Sequence, residues 1–257
     1  MKVVKYNSLF WDRNGLPYEW GDTTILFTGY VVQDNHTGEK SKVCYKNGVK
    51  DGPYEFYYEN GQLKEKGTYK NGKVDGLQRY YKNGQLKKNL YKLSKEKVTI
   101  ESYYENGQLK TKATFKDGKE EGLYKIYYEN GQLRSKRTFK NGELDGPLEF
   151  YYENGKLGVK ANFKNGKEDG FFEYYSEKGI LETRVTYENG EIKTVEGFDK
   201  KGILQYRENV EIKTVEYFDK KGNLQTKYIL NKKNKKIKAV EYYDKKGNLT
   251  SKDTLRA

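Results

Sequence analysis

The chain has 257 residues, of which 34% are hydrophobic, 34% are charged and 26 are tyrosine. An apolar share below the roughly 45–50% of globular domains excludes a thick two-layer core, while 15% aromatics and a strict internal period exclude disorder. A net charge of +13 favours acidic partners over basic ones, and a single cysteine, Cys44, excludes an internal disulfide framework.

In chain order, residues 1–52 are irregular and hold both tryptophans, Trp11 and Trp20, which suits a cap over the first repeat. The N-terminus lacks the long apolar segment of a secretory signal, so the chain is expected in a reducing, cytoplasmic compartment. Residues 53–187 then repeat. "YYENGQLKEKGTYKNGKVDG", Tyr57 to Gly76, is echoed at Tyr80, Tyr103, Tyr127 and Tyr151, and at Tyr174 as "YYSEKGIL". Asn-Gly marks a tight hairpin of type I′, which needs positive φ at both central residues. It occurs at Asn60, Asn71, Asn83, Asn106, Asn130, Asn141, Asn154 and Asn165, with Asp117-Gly118 in the same role. The runs between, such as "PYEFYY" and "PLEFYY", are rich in strand-forming aromatics. The spacing predicts an all-β, elongated single-sheet meander of repeated hairpins, 23–24 residues per repeat.

Type I′ pairing across Asn60-Gly61 would set Tyr58 opposite Leu63, and strand alternation then adds Tyr54, Phe56, Gly67 and Tyr69 to one core face. Later repeats contribute Ala113, Phe115, Ile126, Tyr128 and Leu133, then Phe150, Tyr152, Leu157, Ala161 and Phe163. The recurring small residue (Gly67, Ala113, Ala161) leaves room for a neighbouring aromatic ring. Second tyrosines at Tyr58, Tyr81, Tyr104, Tyr128, Tyr152 and Tyr175 give steps of 23 or 24 residues. An odd step would flip every side chain to the other face, so one residue must be absorbed in a bulge or another turn, expected at "KVDG", Lys73 to Gly76. Residues 188–257 form diverged hairpin repeats: "EIKTVEGFDKKGIL", "EIKTVEYFDKKGNL" and "KIKAVEYYDKKGNL" replace Asn-Gly with Lys-Gly. "NKKNKKIK", Asn231 to Lys238, reads as a basic loop or hairpin tip.

Catalytic constellations do not emerge. His36 is the single histidine, and without a nearby Cys or His it makes no zinc site. Nucleophilic chemistry at Cys44 would need His36 as its base, which nothing in the pattern demands. Glu59, Glu105, Glu129 and Glu153 flank successive turns, about a repeat apart, and so are not paired as acid and base. The glycines are mostly turn residues, not a phosphate loop. No enzyme activity, cofactor or metal is expected. The face opposite the core holds Tyr57, Lys64 and Lys66, then Lys125, Tyr127, Arg134 and Lys136, then Tyr151 and Lys160. Tyrosines among cations could bind a partner. They could equally be Lys stems shielding Tyr rings.

"YYENGQLKEKGTYKNGKVDG" resembles bacterial MORN-type repeats of the variant class found in YwqK-family antitoxins. "RNGLPYEWGDTTILFTGYVV", Arg13 to Val32, is similar to the segment that opens such proteins, and the likeness extends over roughly residues 10–190. It implies repeated β-hairpins and a non-enzymatic binding role, including toxin neutralisation, with no catalytic residues to carry over. "KKNLYKLSKEKVTIESYY", Lys87 to Tyr104, departs from the pattern by lacking its second Asn-Gly and Asp-Gly. "YDKKGNLTSK" faintly resembles the YD repeats of toxin shells, but three short copies are too few to build one. The leading expectation is a protein partner, specifically a toxin occluded by an antitoxin or immunity protein. Beside it stand sequence-tolerant nucleic-acid binding through the Tyr/Lys face, and a scaffold on an anionic membrane.

Overall fold

A computed structural model describes residues 1–19, 24–92, 96–231 and 236–254. Trp20 and the centre of the basic run, residues 232–235, lie outside the described residues. Apart from one 3-10 turn, Tyr6–Ser8, the described elements are strands, and no described helix is long and apolar enough to cross a membrane. The chain divides into two compact units, 1–119 with 127–131, and 120–126 with 132–257.

The first unit is an antiparallel meander through Gly29–Asp34, Lys40–Lys46, Val49–Tyr57, Leu63–Lys70, Lys73–Tyr80, Leu86–Lys92, Lys97–Tyr103 and Leu109–Lys116. Val3–Lys5 joins it in parallel beside Gly29–Asp34, and Leu9–Trp11 pairs with Pro17–Glu19 in a separate hairpin. Leu9 and Phe27 close over Val31, Val43, Tyr45 and Tyr54, with Val4, Trp11, Phe56 and Tyr69 packed around them. A bare meander has no second layer, so these early residues supply apolar partners that the repeats lack.

The second unit continues the same pattern from Leu133–Lys140 through Glu143–Tyr151, Leu157–Lys164, Gly170–Tyr175, Leu181–Glu188, Glu191–Phe198, Leu204–Asn209, Thr214–Phe218, Leu224–Leu230 and Ile237–Tyr243 to Leu249–Thr254. Its core is Leu148, Ala161, Phe172 and Val185, flanked by Phe150, Phe163 and Tyr187. The predicted core face holds its small residues: Ala113 and Ala161 are buried. A Cβ on Gly67 would stand 2.8 Å from the Tyr54 hydroxyl, so the missing side chain does admit that ring.

Three readings of the turns need correction. Asn-Gly serves two turn types, not one. Asn71, Asn141 and Asn165 have positive φ with their glycines, as type I′ requires, and so does Asp117. At Asn60, Asn83, Asn106, Asn130 and Asn154 only the glycine does. There the Tyr58 N–H donates to Gln62 O at 2.8 Å and the Gly61 N–H to Tyr58 O at 2.9 Å, a type I turn closed by a left-handed glycine. Tyr58 therefore sits in the turn, and Tyr57 is the residue opposite Leu63. The third correction is a register shift. Tyr175 pairs with Leu181 as Tyr151 pairs with Leu157, so Ser176, not Tyr175, takes the second-tyrosine place.

The odd residue is absorbed where expected. Between the Gly67↔Leu77 and Tyr69↔Val74 pairs, Asp75 and Gly76 oppose Thr68 alone. Between Arg137↔Leu148 and Phe139↔Leu144, three residues (Asp145, Gly146, Pro147) oppose Thr138. The shorter and longer repeats thus differ by one residue in this bulge, and the faces stay in phase.

Candidate functional site

Each repeat is built so that one turn docks on the next. Tyr58, Tyr81 and Tyr104 donate their hydroxyls to the carbonyls of Tyr80, Tyr103 and Tyr127 at 2.8–2.9 Å. Tyr152 does the same to Tyr175 at 2.7 Å. The turn asparagine works in both directions: Asn106 Oδ1 accepts the Gln108 N–H at 2.9 Å, while its Nδ2 donates to Glu129 O at 2.9 Å. On the opposite edge the type I′ glycines donate to the preceding repeat, as Gly72 to Lys50 O and Gly166 to Leu144 O, each at 2.8 Å. Beyond Ser176 the turns become self-contained: Asp199, Asp219 and Asp244 each accept two backbone N–H groups of their own turn. The Tyr-x-Asn-Gly motif is therefore a stacking device, and its second tyrosine is spent on structure.

With both edges fixed, the face opposite the core becomes a periodic array. Cross-strand register in the second unit reads Lys136, Glu149, Lys160, Glu173, Arg184, Glu196, Arg207, Glu216, Lys227, Glu241, Lys252. Every neighbour carries the opposite charge. The first unit reads Lys42, Glu55, Lys66, Gln78, Asn89, Glu101, Lys112, with a neutral amide pair at its centre. Arg184 bridges Glu173 at 2.9 Å and Glu196 at 3.4 Å, and Arg207 bridges Glu196 at 2.7 Å and Glu216 at 3.6 Å. Isolated exposed pairs contribute about 0–1 kcal/mol each, but a shared guanidinium holds two carboxylates with one ordered side chain.

The first tyrosine of the doublet is tied into this array. Tyr57, Tyr103, Tyr151, Tyr175 and Tyr243 donate to Glu55, Glu101, Glu149, Glu173 and Glu241, two residues earlier, at 2.7–3.0 Å. Burial first, then the bond to the anion, pushes Tyr103, Tyr151 and Tyr175 up to about 12. The Tyr151 hydroxyl, and beyond the opposing effect of burial Lys136, holds Glu149 below the usual carboxylate range. For Glu101 and Glu173 burial is the largest influence and acts upward, yet their hydrogen bonds and cations together outweigh it.

The structure distributes the nine residues singled out in the sequence over several settings. Tyr57 and Tyr151 are half-buried and bonded to glutamate. Tyr127 is half-buried and its carbonyl accepts the Tyr104 hydroxyl. Lys66 and Lys160 are exposed members of the array, Lys66 with its Nζ 6.0 Å from the Tyr80 ring centre. Lys136 pairs with Glu149 at 3.3 Å. Lys64 lies at the bulge, paired with Glu39 and 5.6 Å from the Tyr58 ring centre. Lys125 is half-buried on Gly122–Tyr127, and Arg134 is exposed near the start of Leu133–Lys140. What the sequence reading overlooked are the glutamates between these cations, although strand alternation from Tyr57 already placed Glu55 among them.

His36 is exposed and Cys44 is buried. Among the described residues no group of three or more His, Cys, Asp or Glu is arranged to hold a metal.

The model of the MORN repeat variant matches residues 50–71, 99–117, 120–141 and 144–165. Those four segments resemble MORN-type repeats. Repeats of this type generally bind proteins or membranes and are typically non-enzymatic. The matched segments each end at or beside a type I′ turn, so one motif spans the docking turn, the array strand and the opposite turn. No curated protein matches the chain. Among solved structures, "Crystal Structure of TarM" aligns at 12% identity and a TM-score of 0.22, over 46% of this chain and 20% of that one. The chain thus spans a fifth of that protein's length, and so slight a likeness carries no argument.

Proposed function

We propose that this MORN-repeat chain is a non-catalytic protein-binding protein that acts as an antitoxin or immunity protein, lying along a toxin and occluding it. The alternating array carries this reading. A run of cations alone would attract any polyanion, whereas here Lys160, Arg184, Arg207 and Lys227 each stand between two carboxylates that would repel phosphates. A folded protein surface, with charges of both signs, can match such a pattern in register and gains specificity from doing so. The rings of Tyr57 and Tyr151, half-buried and fixed by their hydroxyl bonds, supply rigid amphipathic area of the kind that anchors interfaces.

The test is affinity capture with the full chain from its native cells, with and without nuclease. A protein that survives nuclease treatment, and whose toxicity on its own is relieved by co-expression of this chain, supports the proposal. Capture that disappears with nuclease would favour the nucleic-acid reading and overturn it.

A further inference from the structure

The C-terminal strands of the second unit carry a second surface that the charge array does not use. On the opposite face Tyr174, Tyr206, Tyr217 and Tyr242 stand in one cross-strand row, separated only by Thr, Gly or Ser positions. All four rings are open to solvent, at 36% to 48% exposure, whereas the equivalent row nearer the core holds half-buried Phe150 and Val159. A Cβ on Gly197 would lie 2.1 Å from the Tyr206 ring, so that phenol rests flat on the sheet where a side chain is missing.

The adjacent row on the same face holds Glu208 and Asp253, both exposed, at either side of Val215, Tyr228 and Val240. Neither makes an ion pair among the described residues, unlike the carboxylates of the array. Lys193 is held by Glu188 and Glu191, and Lys213 and Lys238 lie at strand ends, beside Thr214 and Ile237. Two unpaired carboxylates among exposed phenols are an unusual feature for a chain of net charge +13.

We propose that this face docks an extended cationic segment of a protein partner, its Arg or Lys side chains lying on the tyrosine rings and ending at Glu208 and Asp253. The electron-rich faces of phenols attract ammonium and guanidinium groups. Within this chain Lys87 already sits 5.1 Å from the Tyr81 ring centre, and Lys110 lies 5.1 Å from that of Tyr104. Four strand spacings separate Glu208 from Asp253, roughly 19 Å, the reach of about six extended residues. Phosphates of a nucleic acid or a lipid surface would be repelled by the two carboxylates, which disfavours both. The inference extends the protein-binding reading to a second face, and its test does not need the native partner.

Fluorescence anisotropy with the full chain and labelled hexa-arginine decides it, with labelled hexaglutamate and a single-stranded oligonucleotide as competing probes. Hexa-arginine is expected to bind in preference to hexaglutamate in spite of the net charge. Glu208→Gln with Asp253→Asn should weaken it about tenfold, as should Tyr217→Ser with Tyr242→Ser, while Tyr217→Phe with Tyr242→Phe retains it. Lys167→Gln, on the type I′ edge, should leave it unchanged, which separates this site from general surface charge. Circular dichroism checks each fold; should the serine pair unfold, the Gln/Asn pair alone is decisive. Preference for hexaglutamate, oligonucleotide binding lost in the tyrosine variants, or hexa-arginine binding unmoved by the Gln/Asn pair would each overturn the proposal.

Discussion

Replacing Gly67 with alanine tests whether the small core-face residue is there for packing. Its φ lies outside the left-handed region, so the backbone tolerates a side chain and the question is space. A Cβ would stand 2.3 Å from Gly76 O, 2.8 Å from Tyr54 Oη and 2.9 Å from Tyr54 Cε1. The first is backbone across the strand pair and the other two belong to a ring only 1% exposed, so neither can swing aside. Overpacking of this kind costs about 1–3 kcal/mol. Disturbing the 2.7 Å bond from Tyr54 to the Glu65 carboxylate adds about 1.5–3 kcal/mol if that bond is lost outright. Restricting the unfolded chain returns about 0.4–1 kcal/mol. The expected loss is about 2–4 kcal/mol by urea unfolding. Gly61→Ala is the control: φ is +81° with nothing within 4 Å, so it should lose only the left-handed strain of about 1–2 kcal/mol. Gly67→Ala costing no more than Gly61→Ala would refute the packing argument.

The same geometry sets further outcomes. Tyr104→Phe removes the hydroxyl bond to Tyr127 O and should cost about 0.5–1.5 kcal/mol in urea unfolding, and Tyr58, Tyr81 and Tyr152 substituted alike should behave the same way. Gly131→Val, at φ +85° and with Gln108 Oε1 2.8 Å from the new Cβ, should lose about 1–3 kcal/mol. Tyrosines 103, 151 and 175 are raised to about 12 in the fold, so their contribution is complete below their unfolded value near 10 and is lost as pH climbs toward 12. Phenolate absorbance should show that late titration, and it should vanish for Tyr151 in Tyr151→Phe. Glu149 is lowered, so its contribution is present above about 4.3 and fades as pH falls through its folded value. Urea midpoints between pH 5 and 3 should therefore drop less in Glu149→Gln than in the parent.

The hairpins, their period and much of the core face (Tyr54, Phe56, Gly67, Phe150, Ala161) were legible because Asn-Gly and alternating aromatics are local signals; Leu63 and Leu157, expected on that face, pair instead with Tyr57 and Tyr151 on the array side. What the local signal could not separate is two turns that share Asn-Gly. The distinguishing feature is the residue four before the glycine: it is a tyrosine (Tyr57, Tyr80, Tyr103, Tyr127, Tyr151) in the docking turns and Thr68, Thr114, Thr138 or Asn162 before the type I′ turns. The tyrosine doublet at Tyr174 misaligned one repeat, although counting from Gly155 to Gly179 would have placed Ser176 under Tyr152. The array was half visible. Cations were read as a ladder while Glu55 and Glu149, on the same parity, were passed over because "EFYY" draws attention to its rings. The exposed C-terminal tyrosines were hidden for a different reason: the same row is half-buried at Phe150 and Val159 and exposed at Tyr174, Tyr206, Tyr217 and Tyr242, a change that depends on packing.

The most direct test is a photo-crosslinking residue at position 160, within the charge array of the second unit, in the full chain expressed in its native cells. The account predicts a covalent adduct with another protein that resists nuclease and is absent when the same residue is placed at position 167, on the type I′ edge. An adduct with nucleic acid at position 160, or a protein adduct at position 167 alone, would contradict it.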